Sequence, residues 1–150
     1  MRRKSNPWLA GIWLWVALAG LSACRNTTLY HAFRPVPVQG WRQTDTLRFP
    51  VSVSDTVSVL RLSVDVRHTN AYPYQNLYLF VEGDTVECRL SDRQGRWVGK
   101  GLSASYQSRF LWRRQTIPHA DTVWIRISHG MSDPLLRGVQ DIGLCVERPD

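Results

Sequence analysis

Cysteine and histidine are the residue types in this chain that could act as nucleophiles, proton carriers or metal ligands. The sequence contains Cys24, Cys88, Cys145, His31, His68, His119 and His129. None of them stands in an HExxH or CxxC arrangement, the spacings that bring two ligands onto one metal ion. His68 and His129 fall at the ends of predicted strands, where a histidine is far more often hydrogen-bonded or solvated than metal-bound. The sequence therefore predicts no metal site and no cofactor.

Motifs for serine, carboxylate or phosphate-binding catalysis are also missing from the sequence. There is no GxSxG nucleophile elbow. The carboxylates of Asp84 and Glu87 flank a predicted turn, where water solvates them. Residues 95–101, Gly-Arg-Trp-Val-Gly-Lys-Gly, lack the Walker order and the following helix that a phosphate loop requires. We therefore expect that this protein is not an enzyme.

Cys24 is predicted to accept a lipid on its thiol, because the residues before it have the pattern of a secretory leader. Positive charge at residues 2–4 precedes an apolar run at 8–21. That run has about 14 residues, whereas a helix needs roughly 20 to span a bilayer. The sequence Leu-Ser-Ala-Cys at 21–24 then resembles the lipobox of bacterial lipoproteins, in which the cysteine thiol accepts diacylglycerol. The sequence predicts a signal peptide over 1–23 and a lipid on Cys24 that anchors the protein to a membrane without crossing it.

Removal of the leader leaves 127 residues, enough for one domain with its own core. The leader holds three basic residues and no acidic ones, so the formal net charge falls from +7 to +4. Lys100 is the only lysine that remains, and the other cations are arginines. Because these charges are scattered and a secreted lipoprotein meets no DNA, we expect no nucleic-acid partner.

One local cluster of positive charge surrounds Leu111 and Trp112. It consists of Arg109, Arg113 and Arg114. The first interpretation is a solvated strand face. Contact with lipid headgroups, glycan phosphates or an acidic partner are the alternatives that the sequence leaves open.

Most of the mature chain has the period-two hydrophobic pattern or the short apolar runs of β-strands. These segments lie at 47–54, 60–67, 77–81, 85–90, 109–117, 122–128 and 142–147. Turns are predicted at 82–84 and 92–95, and no stretch has helical periodicity. The prediction is an all-β fold: a single antiparallel β-sandwich, jelly-roll-like or Ig-like, over residues 41–150.

Residues 24–40 are predicted as the lipidated N-terminus and an extended tether. Pro35 and Pro37 disfavour a helix there and leave the chain extended. Such a spacer would lift the domain away from the bilayer.

Cys88 and Cys145 could form a disulfide in an oxidising compartment, but spacing alone does not bring their Cα atoms within reach. Cys88 shares a strand face with Val86 and Leu90, which predicts burial. Free thiols are the favoured interpretation.

Aromatic residues are expected mainly to close the ends of a small core. Tyr72 and Tyr74 flank Pro73, and this arrangement predicts a packed corner. Exposed tryptophans on a sandwich can also stack on sugars. Trp97, Trp112 and Trp124 are therefore retained as an alternative glycan-binding platform.

Three stretches, in this order behind a lipobox, resemble the GldH-type gliding-motility lipoproteins of Bacteroidetes. They are 67–79, 95–101 and 138–144, and the Thr-Asn…Tyr-Pro and Gly-Arg-Trp…Gly-Lys-Gly motifs are their most specific parts. The likeness covers nearly all of the mature domain. Cys145 stands where the resemblance would place a polar or charged residue, which further disfavours a structural disulfide.

The resemblance implies a non-enzymatic component of the gliding machinery, and of the linked type IX secretion system in some members, acting through contacts with other envelope proteins. The candidate interaction surface comprises Trp97, Lys100, Arg109, Trp112, Arg113 and Arg114. Surface-exported lipoproteins of these bacteria have acidic residues after the lipid cysteine, whereas Arg-Asn-Thr-Thr follows Cys24 here. We therefore expect attachment to the outer membrane, facing the periplasm. The sequence does not determine the oligomeric state.

Overall fold

The structure of the protein is a computed structural model that describes residues 27–53, 59–117 and 122–149. In these ranges, segments with alternating apolar and polar residues form eleven strands. The strands are β1 (Thr28–Pro35), β2 (Trp41–Arg42), β3 (Leu47–Val51), β4 (Leu60–Thr69), β5 (Asn76–Val81), β6 (Asp84–Arg89), β7 (Lys100–Leu102), β8 (Ser105–Gln115), β9 (Val123–His129), β10 (Leu135–Leu136) and β11 (Val139–Glu147). Over these ranges no helix is long and apolar enough to cross a membrane. The predicted signal peptide, Cys24 and His119 lie outside the described residues.

Two antiparallel sheets pack face to face. The larger sheet has the order β1-β11-β4-β8-β7, and the smaller has the order β3-β9-β5-β6. A separate ladder joins β2 to β10. Apolar side chains on the facing surfaces, among them Leu62, Val64, Leu79, Ile125 and Leu144, are buried together. Each such side chain contributes roughly 1.5–3 kcal/mol when fully buried. The prediction of an all-β sandwich is confirmed.

The β5–β6 hairpin shows how local sequence sets a turn. Glu82 and Gly83 have φ values of 48° and 90°, the left-handed pair that a two-residue hairpin loop needs. A non-glycine residue pays a steric cost there. The carboxylate of Glu82 accepts hydrogen bonds from the backbone N–H and Nε of Arg126, at 2.7 and 3.0 Å, and these bonds hold the turn. The turn predicted at 82–84 is confirmed.

β1 corrects the prediction of a tether. Residues 28–35 are a strand that pairs with β11 along its length, and Val36 beyond it is buried. The prolines misled the prediction because β1 is an edge strand with Pro35 as its last residue, and at such positions a missing N–H costs no ladder bond. The folded domain therefore begins by Thr28, only four residues after Cys24.

Candidate functional site

A buried carboxylate lies on the outer face of the larger sheet. Asp65 of β4 is 0% exposed and stands in register with Gly143 of β11 and Arg109 of β8. Its Oδ2 lies 2.7 Å from Nε2 of His31 on β1, and its Oδ1 accepts a 2.7 Å hydrogen bond from Nε of Arg109. A Cβ on Gly143 would lie 3.0 Å from that of Asp65 and 2.8 Å from the Phe33 ring, so the glycine makes room for both.

Arg109 connects Asp65 to Glu147, near the C-terminus. Its Nη2 donates a second bond to Asp65, at 3.0 Å, and its Nη1 donates to Glu147 Oε1, also at 3.0 Å. The hydrogen bond to Asp65 raises the pKa of Arg109 above its ordinary value, so the guanidinium is a permanent cation. A carboxylate removed from water needs such a partner, because an uncompensated buried charge is strongly destabilising. Arg109 therefore compensates Asp65 and links β8 to β4 and β11.

Arg67 forms a second ionic group on the same face. Its Nη1 donates to Asp141 Oδ2 at 3.0 Å, and its Nη2 donates to Gln107 at 3.1 Å. The guanidinium also lies over the Phe33 ring, 4.6 Å from its centroid. The outer face of β1, β11, β4 and β8 is thus a charged layer. Among the described residues, no group of three His, Cys, Asp or Glu side chains could hold a metal ion.

A cavity of about 680 Å³ opens beside Asp65 and brings Lys100 and Arg109 together. It lies where β7 ends, since β7 pairs with β8 only through residues 105–107. Within the described ranges, no strand pairs with the outer side of β8 from Arg109 to Gln115. Leu111, in the middle of this free edge, is 53% exposed. A polar cavity and an unpaired strand edge therefore adjoin each other.

Trp112 and Arg113 fasten the free edge to the β5–β6 hairpin of the other sheet. Nε1 of Trp112 donates to Oδ2 of Asp84 at 2.8 Å, and the Arg113 guanidinium binds the same oxygen. Arg113 also stacks over the Trp112 ring at 4.5 Å. The bond from Arg113 lowers the pKa of Asp84, so this carboxylate remains charged.

The six residues predicted as one interaction surface lie in three different environments. Trp97 packs on His68, with ring centroids 4.7 Å apart, and is partly buried. The charged groups of Arg109 and Arg113, and the indole N–H of Trp112, are bound by carboxylates. Lys100 and Arg114 are exposed. Four of the six lie on β8, whereas Lys100 begins β7 and Trp97 precedes it, so the side chains do not form one patch.

Asp65, His31 and Glu147 are the site residues that sequence reasoning missed. Asp65 occupies the polar side of an alternating strand, where the pattern alone predicts solvent exposure. Its separation from His31 and Arg109 is 34 and 44 residues along the chain. No local pattern signals that those side chains cover it.

His68 and His129 are buried and hydrogen-bonded; the sequence left a hydrogen-bonded or a solvated histidine open, and their burial excludes the solvated one. Nδ1 of His68 lies 3.1 Å from the Thr69 carbonyl oxygen, and Nε2 of His129 lies 3.1 Å from that of Trp41. Burial lowers the pKa of both imidazoles, so they are neutral at physiological pH.

Cys88 and Cys145 are both free and buried, on different sheets. Burial raises the pKa of each thiol to about 12. Because the thiolate is the reactive form, neither cysteine is suited to nucleophilic or redox chemistry.

Known proteins of one family resemble this chain. The family of GldH lipoproteins matches residues 28–146, from the start of β1 into β11. A "Gliding motility lipoprotein GldH homolog" of Christiangramia forsetii is 24% identical over 147 residues, covering 86% of this chain and 89% of the relative. "Gliding motility lipoprotein GldH" of Flavobacterium johnsoniae is 24% identical over 166 residues, covering 100% of both chains. No solved structure matches this chain.

Apart from Glu147, the last residue of β11, the family match covers every strand of the two main sheets and both ionic groups on the outer face. It agrees with the resemblance carried by the Thr-Asn…Tyr-Pro and Gly-Arg-Trp…Gly-Lys-Gly motifs. This chain belongs to the GldH lipoprotein family.

Proposed function

We propose that this protein is a non-enzymatic component of the gliding-motility and type IX secretion-linked envelope machinery, and that it acts through protein contacts. Membership of a lipoprotein family makes the chain a lipid-anchored protein of the cell envelope. The name of the Flavobacterium johnsoniae relative links that protein to gliding motility. We place the lipid on Cys24 and the domain on the periplasmic side of the outer membrane, since no acidic residue follows that cysteine.

The observation that carries a protein-contact function is the free edge of β8. An exposed strand edge presents unpaired N–H and C=O groups, to which an extended segment of another chain can add as a further strand. Native proteins usually keep such edges short or covered, whereas this one runs from Arg109 to Gln115 with Leu111 exposed at its centre. The edge therefore offers both main-chain hydrogen bonds and an apolar contact.

The charges around the edge favour a partner segment with acidic side chains. Lys100 is exposed at the mouth of the cavity, and no described residue forms an ion pair with it. Arg109 lines the same cavity, but Asp65 compensates its charge, so Lys100 supplies the positive charge that remains open to a partner. Complementary charge of this kind selects a partner and its register more than it adds affinity.

A non-enzymatic role agrees with the chemistry of the groups in the structure. The thiols of Cys88 and Cys145 are protonated and buried, and the imidazoles of His68 and His129 lie in the core. Of the charged groups that line the cavity, Asp65 and Arg109 are bound to each other, and Lys100 has no ion-pair partner among the described residues.

Photo-cross-linking in cells tests this proposal. A benzoylphenylalanine at position 111 is expected to capture one discrete envelope protein, because Leu111 lies at the centre of the edge. The matched control is the same probe at Val38, which is 98% exposed on a loop outside both main sheets. Lys100→Glu is expected to weaken the cross-link at position 111. The same products at both positions, or none at 111, would contradict the proposal.

A second candidate function, glycan binding, rests on one tryptophan. Trp124 is 55% exposed and lines a shallow cavity of about 410 Å³ with Arg48 and Arg126. Trp97 and Trp112 are partly buried, so neither presents an open ring face of this kind. Binding on a glycan array that disappears in Trp124→Ala would favour this function. Unchanged binding in that variant, or none in the wild type, would remove it.

A further inference from the structure

The chain just before β7 closes one end of the free edge of β8. Strand β7 begins at Lys100, and the two residues before it lie directly against β8. Ser108 Oγ donates to the Val98 carbonyl oxygen at 2.9 Å, and a Cβ on Gly99 would lie only 2.4 Å from the Gln107 carbonyl oxygen. A segment that adds along the free edge meets this crossing of the chain. It must therefore end there or turn away from the sheet.

The same crossing bounds a groove between the two sheets. The Val98 backbone N–H donates to the Leu90 carbonyl oxygen at 2.9 Å, so the chain spans from the end of β6 to β8 at this point. Beyond the crossing, a cavity of about 390 Å³ lies between β6 and β8, with Glu87 and Trp112 in its lining. The free edge, Arg109–Gln115, is seven residues long, or about 24 Å at about 3.4 Å per residue. A short segment therefore fits there as one strand.

The direction of an added segment follows from the sheet and from charge. Every pair of strands in the larger sheet is antiparallel. An antiparallel segment runs from Gln115 towards Arg109, so its C-terminus arrives at the crossing beside Lys100. A parallel segment would bring its N-terminal ammonium group to the same cation, and like charges repel. Both arguments favour the direction that delivers a carboxylate.

Positive charge is open at the point where that C-terminus arrives. Lys100 pairs with Gln107, two residues from Arg109, and both cations line the cavity of about 680 Å³. Asp65 compensates Arg109 through bonds of 2.7 and 3.0 Å, and its Oδ2 also lies 2.7 Å from His31 Nε2. Lys100 is exposed and has no ion-pair partner within the described part of the chain. Its ammonium group is therefore available to bind an added carboxylate.

We propose that the free edge of β8 takes up the C-terminal segment of a partner protein as an antiparallel strand, with the terminal carboxylate bound by the ammonium group of Lys100. This inference rests on the proposed contact of β8 with another protein, and it names the part of that protein that binds. When the last residue of the segment lies opposite Arg109, its third-last residue lies opposite Leu111. Since Leu111 is 53% exposed, an apolar side chain at the third-last position gains a contact there.

Lys100 allows a chemical test of the terminal carboxylate, because it is the only lysine after residue 4. Cell-envelope membranes that carry the acylated protein are treated with a carbodiimide, which joins an amine to a neighbouring carboxylate through an amide bond. Mass spectrometry is expected to find Lys100 joined to the C-terminal carboxylate of the protein that is captured at position 111. Lys100 joined only to aspartate or glutamate side chains, or to no residue of that protein, would overturn the proposal.

Synthetic peptides measure the contribution of the carboxylate. The last seven residues of the captured protein are prepared with a free C-terminal carboxylate and with a C-terminal amide. Fluorescence anisotropy compares their affinities for the acylated protein in detergent. The amide is expected to bind roughly ten-fold more weakly, which is the effect of losing one hydrogen bond between charged groups. Equal affinities of the two peptides would contradict a bound terminal carboxylate.

Substitution of Lys100 assigns the effect to its ammonium group. Lys100→Met should weaken binding of the free acid by roughly ten-fold and leave the affinity for the amide unchanged. The matched control is Arg114→Met, which removes an exposed cation at the other end of the free edge and should change both affinities by the same factor. If Lys100→Met weakens the acid and the amide equally, Lys100 does not bind the carboxylate and the proposal fails.

The outcomes separate this inference from the protein-contact function. A cross-link at position 111 without the carbodiimide product at the partner's C-terminus would keep β8 as a contact surface and refute only the capture of a C-terminal segment. No cross-link at position 111 would refute both.

Discussion

Replacing Arg109 with methionine removes the cation that compensates the buried carboxylate of Asp65. The substitution keeps most of the aliphatic stem but loses three bonds, of 2.7 and 3.0 Å to Asp65 and of 3.0 Å to Glu147. Breaking one partner of a buried ion pair costs about 3–5 kcal/mol. The guanidinium is 39% exposed, and His31 remains on Asp65, so solvent screening and that contact reduce the loss. We expect a loss of about 3 kcal/mol in the free energy of unfolding.

Urea denaturation followed by tryptophan fluorescence measures this loss. The mature chain with Cys24→Ser avoids acylation, and a loss of about 3 kcal/mol lowers the urea midpoint by roughly 1–3 M at a typical slope of 1–3 kcal/mol/M. The matched control is Arg96→Met. Arg96 pairs with Asp92 at 2.8 Å, but its side chain is 78% exposed, and such pairs contribute at most about 1 kcal/mol.

A double-mutant cycle with Asp65→Asn measures the coupling energy between Arg109 and Asp65, apart from the other contacts of each side chain. Once Asp65 is neutral, Arg109→Met should cost much less than in the wild type, giving a coupling energy of about 2 kcal/mol. If Arg109→Met and Arg96→Met cost the same, or if the coupling is near zero, Asp65 is not a buried charge that depends on Arg109, and the reasoning fails.

Three further predictions follow from packing and titration. Gly143→Ala should cost about 1–3 kcal/mol, because its Cβ would approach an aromatic carbon to 2.8 Å; a urea midpoint equal to that of the wild type would contradict this. Cys88 and Cys145 should not react with a thiol reagent at pH 8 until the protein unfolds, since burial raises the pKa of each to about 12; rapid labelling of the native state would be the opposite result. His68 and His129 have folded-state pKa values below the ordinary 6.5, so the unfolded chain binds more protons and stability should fall as the pH drops below about 6.5; a urea midpoint that is flat from pH 7.5 to pH 5 would refute this.

The strands and turns follow from local sequence. Alternation at 60–67 and 122–128 predicts β4 and β9, and Glu82-Gly83 predicts the hairpin, because a strand face and a tight turn are encoded within a few residues. The family resemblance is likewise carried by short motifs in a fixed order. The leader and the lipobox are local patterns too, and lipidation at Cys24 remains a prediction of the sequence.

Three features depend on pairing between distant segments. They are strand β1, the burial of Asp65 and the positions of the residues predicted as an interaction surface. Residues 28–35 have too little alternation to predict a strand, and they form one because β11 supplies the ladder bonds. The sequence by itself predicted the all-β sandwich and the lipid-anchored family to which the chain belongs. The tertiary structure decided that Asp65 is covered by His31 and Arg109, that β8 keeps a free edge among the described residues, and that the sheet already includes residues 28–35. The physical reason is that these features depend on contacts between segments far apart in the sequence, 34 and 44 residues for the contacts of Asp65 and more than 100 for the pairing of β1 with β11, which no local pattern records.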